Sequence, residues 1–434
     1  MSVDQTKANV NEGSHSAIPA WPAVALALVL LGLGALISPH FIEKLVALHR
    51  WRHDERLVAY SCQAVLGILA LATLFKRKSV NSRFHKIFPT SREFSIAVLT
   101  VALSLAFSLI VAEGAARLLH FPFSAKWVPS ETPLARFDSE LGWSYIPNQT
   151  VTQEFGTDHR KITMYFDDLG CRVKKPENTQ AQNAHTDKDH PDRTAPTALL
   201  VGDSLTFGHG VTYEESFAGR LAARSDFPFH VVNLGVQAYG TDQTLLLLKR
   251  QFKKFNTRLV VYTFSENQIA RNEVSDRRIQ FPDVMFVGTK PMFALKPDGS
   301  LSLVKRPLEF KDVSYSHLWA AFLVFEARRG PPPSIDLTRA IIKEMKDFSE
   351  ANGARFIVVD WDGEDDFPWG LDLDLIRVRG NPPAGLDDWI IPGETHPDPR
   401  AHRYVADLIA TEVLRGVTGS KPVEKPVAKP DNQP

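Results

Sequence analysis

Three apolar runs without a single charge lie in the first 112 residues: AWPAVALALVLLGLGALIS (20–38), LVAYSCQAVLGILALATLF (57–75) and SIAVLTVALSLAFSLIVA (95–112). At 1.5 Å per helical residue, each is about long enough to cross a hydrocarbon core of roughly 30 Å. One such run could be a buried core helix. Three in succession predict a membrane region at 20–117 with three transmembrane helices. A cleaved signal peptide is the rival for the first run, but the polar tail before it holds a single Lys or Arg, Lys7.

Orientation is read from Lys and Arg in the short flanks. The second loop carries Lys76, Arg77, Lys78, Arg83, Lys86 and Arg92, which join Lys7 on one side. Lys44, Arg50, Arg52, Arg56, Arg117 and Lys126 fall on the other. The totals nearly tie, and the density of the second loop decides. It predicts a cytoplasmic N-tail (1–19) and an extracytoplasmic chain after the third span. Overall, 50 basic residues balance 50 acidic ones, which argues against a nucleic-acid coat. Two cysteines, Cys62 and Cys171, exclude a disulfide framework and a Cys-rich zinc site.

Residues 118–196 read as a small β-rich linker segment followed by a flexible loop. FDSELGWSYIPN and KITMYFDDLGCRV alternate short apolar stretches with turn residues. His185, Asp187, Asp189 and His190 lie in the polar loop, with no apolar frame to fix a metal geometry. From Thr197 the pattern becomes buried strands alternating with helices, which predicts a parallel sheet with helices on both faces. The strands are ALLVGDS, HVVNLGV, RLVVYTF and RFIVVDWD. The helices are SFAGRLAAR, DQTLLLLKRQFKKF, DLTRAIIKEMKDFSEANG and AHRYVADLIATEVLRGV. An insertion at 269–334, with an aromatic HLWAAFLVFEARR helix, is expected either to cap the site or to brace the fold. The tail at 417–434, rich in Pro and Lys, has no means to pack.

Sites in such sheets gather at the carboxyl ends of the strands. The first strand ends in Gly202-Asp203-Ser204. There a serine can be presented with its Oγ free, or Asp203 or Ser204 can simply cap the next helix. Gly235 ends the second strand and Asn267 follows the third. Each is either an oxyanion donor or an ordinary turn residue. Before the last helix stand Glu394 and His396, a candidate acid and general base.

In this order the blocks resemble the SGNH (GDSL-type) hydrolases, from about Thr197 to Gly416, half of the chain. VGDSLTFGHGV, VVNLGVQAYGTDQTLLLLKR and HPDPRAHRYVA carry the resemblance, and so do FDSELGWSYIPN and KPMFALKPDGSLSLVKRPL. The last two are similar to segments of a bacterial membrane-anchored subgroup. The resemblance implies a three-layer α/β domain. It implies Ser204 as nucleophile, with Ser204 N–H, Gly235 N–H and the Asn267 amide in the oxyanion hole, and His396 as base. Two positions depart from the pattern. Gln268 stands where an acid commonly follows the asparagine. Gly393 stands three residues before the histidine, where the acid is often found. Glu394 is the acid expected instead, with Asp398 as its rival and the more natural helix cap. His209 is expected to be structural.

The implied activity is that of a membrane-anchored serine esterase or deacetylase, working on acyl esters through an acyl-Ser204 intermediate. A cell-surface or secreted polysaccharide is the implied substrate. A sugar hydroxyl as acceptor would make the same site an O-acyltransferase. A decayed site would leave a glycan-binding or assembly protein. None of this chemistry requires a metal or organic cofactor.

Overall fold

The computed structural model describes residues 21–36, 53–87, 91–122, 134–176, 193–281, 286–310, 316–329, 334–363, 367, 369–380 and 382–418. The N-tail, the polar loop holding His185, Asp187, Asp189 and His190, and the tail beyond 418 lie outside the described residues. Two compact units emerge, one of Met1–Phe121 with Ser316–Trp319 and one of the remaining chain.

The first unit is helical: α1 (Trp21–Leu36), α2 (His53–Phe75), α3 (Arg77–Ile87) and α4 (Ser91–Leu118). All three apolar runs are therefore helices. Among the described residues, one stretch is long and apolar enough to cross a membrane alone: the 24 residues Ser95–Leu118 of α4. Leu103, Phe107 and Ile110 stand exposed along it, as a lipid-facing helix would have them. The apolar part of α1 is shorter, and the apolar part of α2 meets Arg77–Arg83 at a bend of 83°. α1 and α2 pack together, with Gln63 Nε2 donating to the Gly34 carbonyl at 2.8 Å.

The second unit holds β1 (Ala135–Asp138), β2 (Gly142–Tyr145), β3 (Thr150–Phe155), β4 (Arg160–Phe166), β5 (Arg172–Val173) and β6 (Pro196–Gly202). Then come α5 (Ser204–Phe207), α6 (Phe217–Ala222), β7 (His230–Gly235), α7 (Thr241–Gln251), β8 (Asn256–Phe264) and α8 (Asn267–Arg271). The insertion forms β9 (Met292–Leu295), β10 (Leu301–Lys305) and α9 (His317–Arg329). The chain closes with α10 (Ile335–Ala351), β11 (Arg355–Asp360), β12 (Asp374–Arg377) and α11 (Pro399–Thr418). All four strands and four helices expected after Thr197 are present. α10 ends as expected at Asn352, with Gly353 at φ +80°.

One eight-stranded sheet orders them β12-β11-β8-β6-β7-β5-β4-β3. The first five run parallel, and β5, β4 and β3 extend the sheet antiparallel. The β-rich segment expected as a linker is thus continuous with the central sheet. Its strand β5 pairs with β7, β4 with β5 and β3 with β4, while β1 and β2 form a separate antiparallel hairpin.

Alternation along the strands separates two cores. Leu199 and Val201 of β6 face the layer of α7 and α10, with Leu245, Leu248, Ile341 and Met345. Ala198 and Leu200 face α6 and α11, with Phe217, Leu221, Val405 and Ile409. Deleting a fully buried aliphatic such as Ile409 to Ala costs about 2–5 kcal/mol. The parallel strands all deliver their carboxyl ends to one rim, and the candidate residues sit there.

Candidate active site

β6 stops at Gly202 because the chain turns sharply there. Gly202 has φ +152°, and a Cβ on it would lie 2.4 Å from Thr206 Oγ1. Asp203 then caps α5, its Oδ1 accepting the Leu205 N–H at 3.1 Å. Asp203 caps the helix, and the Ser204 side chain turns to a histidine. Ser204 Oγ lies 2.9 Å from His396 Nε2, across 192 residues of sequence.

His396 comes from the loop before α11. That loop closes on itself, with Ile391 N–H donating to the His396 carbonyl and Glu394 N–H to the Ile391 carbonyl. Glu394 Oε2 is 3.4 Å from His396 Nδ1. Glu394 is therefore the carboxylate beside the His396 ring. Asp398 does what a capping residue does: its Oδ1 accepts from Arg400 N–H at 2.7 Å and Ala401 N–H at 3.3 Å, and Arg400 Nε donates to Oδ2.

The acid is held from two further segments. The Gly156 N–H, in the β3–β4 turn, donates to Glu394 Oε1 at 2.9 Å, and Thr157 N–H donates to the Pro392 carbonyl. His209 Nε2 lies 3.0 Å from Glu394 Oε2, and the His209 ring lies over His396 with centroids 4.0 Å apart. His209, expected to be merely structural, is thus part of the site. Proximity to Ser204 in sequence was its one signal. The Gly156 contribution had none, because it depends on β3 and β4 joining the main sheet.

Buried polar groups fasten the serine turn from beneath. Arg172 of β5 is 2% exposed and donates to the carbonyls of Phe207, Gly208 and Val211. Burial pulls its guanidinium down to about 10. Asn233 of β7 donates to the Thr206 carbonyl at 3.0 Å. Arg271 of α8 bonds Asp203 Oδ2 at 2.6 Å and the Tyr239 carbonyl at 2.9 Å.

Two expected oxyanion donors stand differently. The Gly235 N–H is taken by Asn233 Oδ1 at 2.9 Å, so the role implied for it is not assembled. Gly235 serves close packing instead: a Cβ there would lie 2.2 Å from Phe207 N. Asn267 opens α8 at the same rim and is exposed, and its amide makes no hydrogen bond among the described residues. From the insertion, Arg271 reaches the serine turn through Asp203. The insertion's hairpin is anchored by Lys290, fully buried against Asp242, and none of its described hydrogen bonds reaches Ser204 or His396.

Burial lowers both imidazoles. For His396 burial dominates, and the Glu394 carboxylate pulls back the other way. His209 falls to about 3, through burial first, then through repulsion from His396 when that ring is protonated, and then from the Arg172 guanidinium. Burial thus favours the neutral form of each ring, the form a general base requires. His209, Glu394 and His396 offer ligand atoms within 4.8 Å of one another, close enough to grip a cation. Compared with known proteins, the chain matches no family model and no curated sequence.

Proposed function

We propose that this chain is a membrane-anchored serine esterase or deacetylase of the SGNH type. The observation that carries the reading is the line Ser204 Oγ, His396 Nε2, His396 Nδ1, Glu394 Oε2, at 2.9 and 3.4 Å. Four chemically matched atoms from two distant segments have no structural need to align in that order. Ser204 attacks the acyl carbonyl while His396 takes its proton, and Glu394 stabilises the imidazolium. The tetrahedral oxyanion forms near the Ser204 N–H, with the free Asn267 amide at the same rim as the second donor. His396 then protonates the departing alcohol oxygen, leaving acyl-Ser204. Water, activated by the same imidazole, releases the carboxylate and restores the serine.

Three membrane spans and an extracytoplasmic catalytic unit complete the proposal. α4 supports the anchoring, since the 24-residue stretch Ser95–Leu118 is long and apolar enough to cross a membrane and carries exposed apolar side chains. The setting favours acyl esters on a surface or exported polysaccharide.

The deciding experiment uses full-length protein in detergent. A fluorophosphonate probe should label Ser204, p-nitrophenyl acetate should be hydrolysed, and Ser204→Ala should abolish both. An unlabelled wild type would sink the catalytic reading and leave a binding protein. For topology, a reporter active only outside the cytoplasm should work when fused after Gly416 and fail near Lys78. The reverse pattern would place the catalytic unit in the cytoplasm.

A further inference from the structure

We infer that His209 is a second, positioning histidine, which fixes Glu394 for His396 and completes a hydrogen-bond chain Gln237–His209–Glu394–His396–Ser204. This rests on the serine-hydrolase reading above.

The argument runs from atoms that can play only one part. The Gln237 side-chain nitrogen is a donor, and it lies 2.7 Å from His209 Nδ1. His209 Nδ1 must accept, so the neutral ring carries its proton on Nε2. That places the protonated Nε2 3.0 Å from Glu394 Oε2, beside the carboxylate. The other carboxylate oxygen accepts the Gly156 N–H at 2.9 Å. Both oxygens are thus held by groups other than the base. The His209 contact is shorter than the 3.4 Å between the same oxygen and His396 Nδ1.

The reason lies in the displaced acid. Glutamate has one more rotatable bond than aspartate, and Glu394 sits on a loop, so its carboxylate has freedom that a triad acid must lose. His209 and Gly156 remove it. His209 is itself immobilised: Phe155 meets its ring edge-on at 4.7 Å and 82°, His396 covers its face, and Arg172 clamps the carbonyls on either side of it. Any titration of His209 is remote from neutrality. It therefore acts as a fixed dipole rather than as a second base.

The test is a double-mutant cycle on the full-length enzyme with p-nitrophenyl acetate. His209→Phe keeps the ring stack and removes the donor. Its kcat should fall on the order of tenfold, because a hydrogen bond to a charged group is lost, while KM stays within about twofold. His209→Gln restores a donor and should recover most of the rate. In a Glu394→Gln background, His209→Phe should cost almost nothing further, since a positioning residue acts only through what it positions. Wild-type kcat in His209→Phe, or a full additional loss on top of Glu394→Gln, would overturn the inference. Should His209→Phe fail to fold, His209→Asn, too short to reach Glu394, takes its place in the cycle. A wild type with no turnover and no fluorophosphonate label would bring down the hydrolase reading and this inference together. An active, labelled wild type with a silent His209 would bring down the inference alone.

Discussion

The serine end and the acid end of this site are built in different ways. Ser204 stands on the first residue of a helix that follows a fully buried strand, so backbone geometry aims it. Arg172, Asn233 and Arg271 tie that turn down through buried hydrogen bonds. Glu394 stands on a loop and is aimed by side chains and turns from elsewhere: Gly156 from a β-hairpin and His209 from the far side of α5. The first end is rigid because its secondary structure is. The second is only as rigid as its partners. Mutations at the serine end should therefore act on the chemical step itself, and those at the acid end through geometry.

The largest effect expected is at Ser204. Ser204→Ala should reduce turnover by about 10⁴-fold or more, to the level that binding and the remaining donors provide, with an unchanged melting temperature. Residual turnover near wild type would mean that the chemistry belongs to another group. Next comes the acid. Glu394→Gln should lower kcat by about 10²–10³-fold, because His396 loses the anion that stabilises its cation. Asp398→Asn should leave kcat alone. A large loss in Asp398→Asn beside an active Glu394→Gln would exchange the two roles.

Asn267 tests whether the rim has a second donor. Asn267→Ala should slow the reaction by about 10²–10³-fold, which is the loss of one oxyanion donor. The amide is exposed and unbonded here, so the same substitution should barely change stability. A rate equal to wild type would remove Asn267 from the mechanism.

The two ends also differ in how far they could be read in advance. The four parallel strands and their helices were legible because burial on both faces leaves unbroken apolar runs such as ALLV and LVVYTF. Ser204 and His396 were legible because they punctuate those elements. β12 was not, since DLIR is short and only Ile376 is buried on that edge strand. Neither was the union of β3–β5 with the sheet, because alternation marks a strand without naming its neighbour. That union is what brings Gly156 to Glu394. What packs against Gly235 was hidden for the same reason: a glycine at a strand end signals close approach, and the fold shows the Phe207 backbone beside it. The three apolar runs were legible as helices. The bend after α2 was not, because charge-free length says nothing about where a helix turns.

The smallest effect separates the rigid frame from the site altogether. His402 of α11 is fully buried behind the serine turn. Its Nδ1 accepts the Phe217 N–H at 3.3 Å, and its Nε2 has no hydrogen-bond partner among the described residues. Burial, followed by the cationic Arg172 and Arg220, lowers it to about 3, with Asp398 opposing and His396 adding slightly to the drop. The folded value lies below the unfolded value of about 6.5, so the unfolded chain binds the proton more readily. The stability that neutral His402 contributes is complete above pH 6.5 and is lost as pH falls toward 3. One proton changes the unfolding free energy by at most about 1.4 kcal/mol per pH unit. Between pH 6.5 and 5, His402→Phe should therefore flatten the decline by about 1–2 kcal/mol, read from denaturant midpoints across that window. His209 is lowered in the same direction, so some decline should survive in the variant. An unchanged slope in His402→Phe would mean that α11 opens locally and lets His402 titrate before the fold gives way. The frame under Ser204 would then be no more rigid than the loop that carries Glu394.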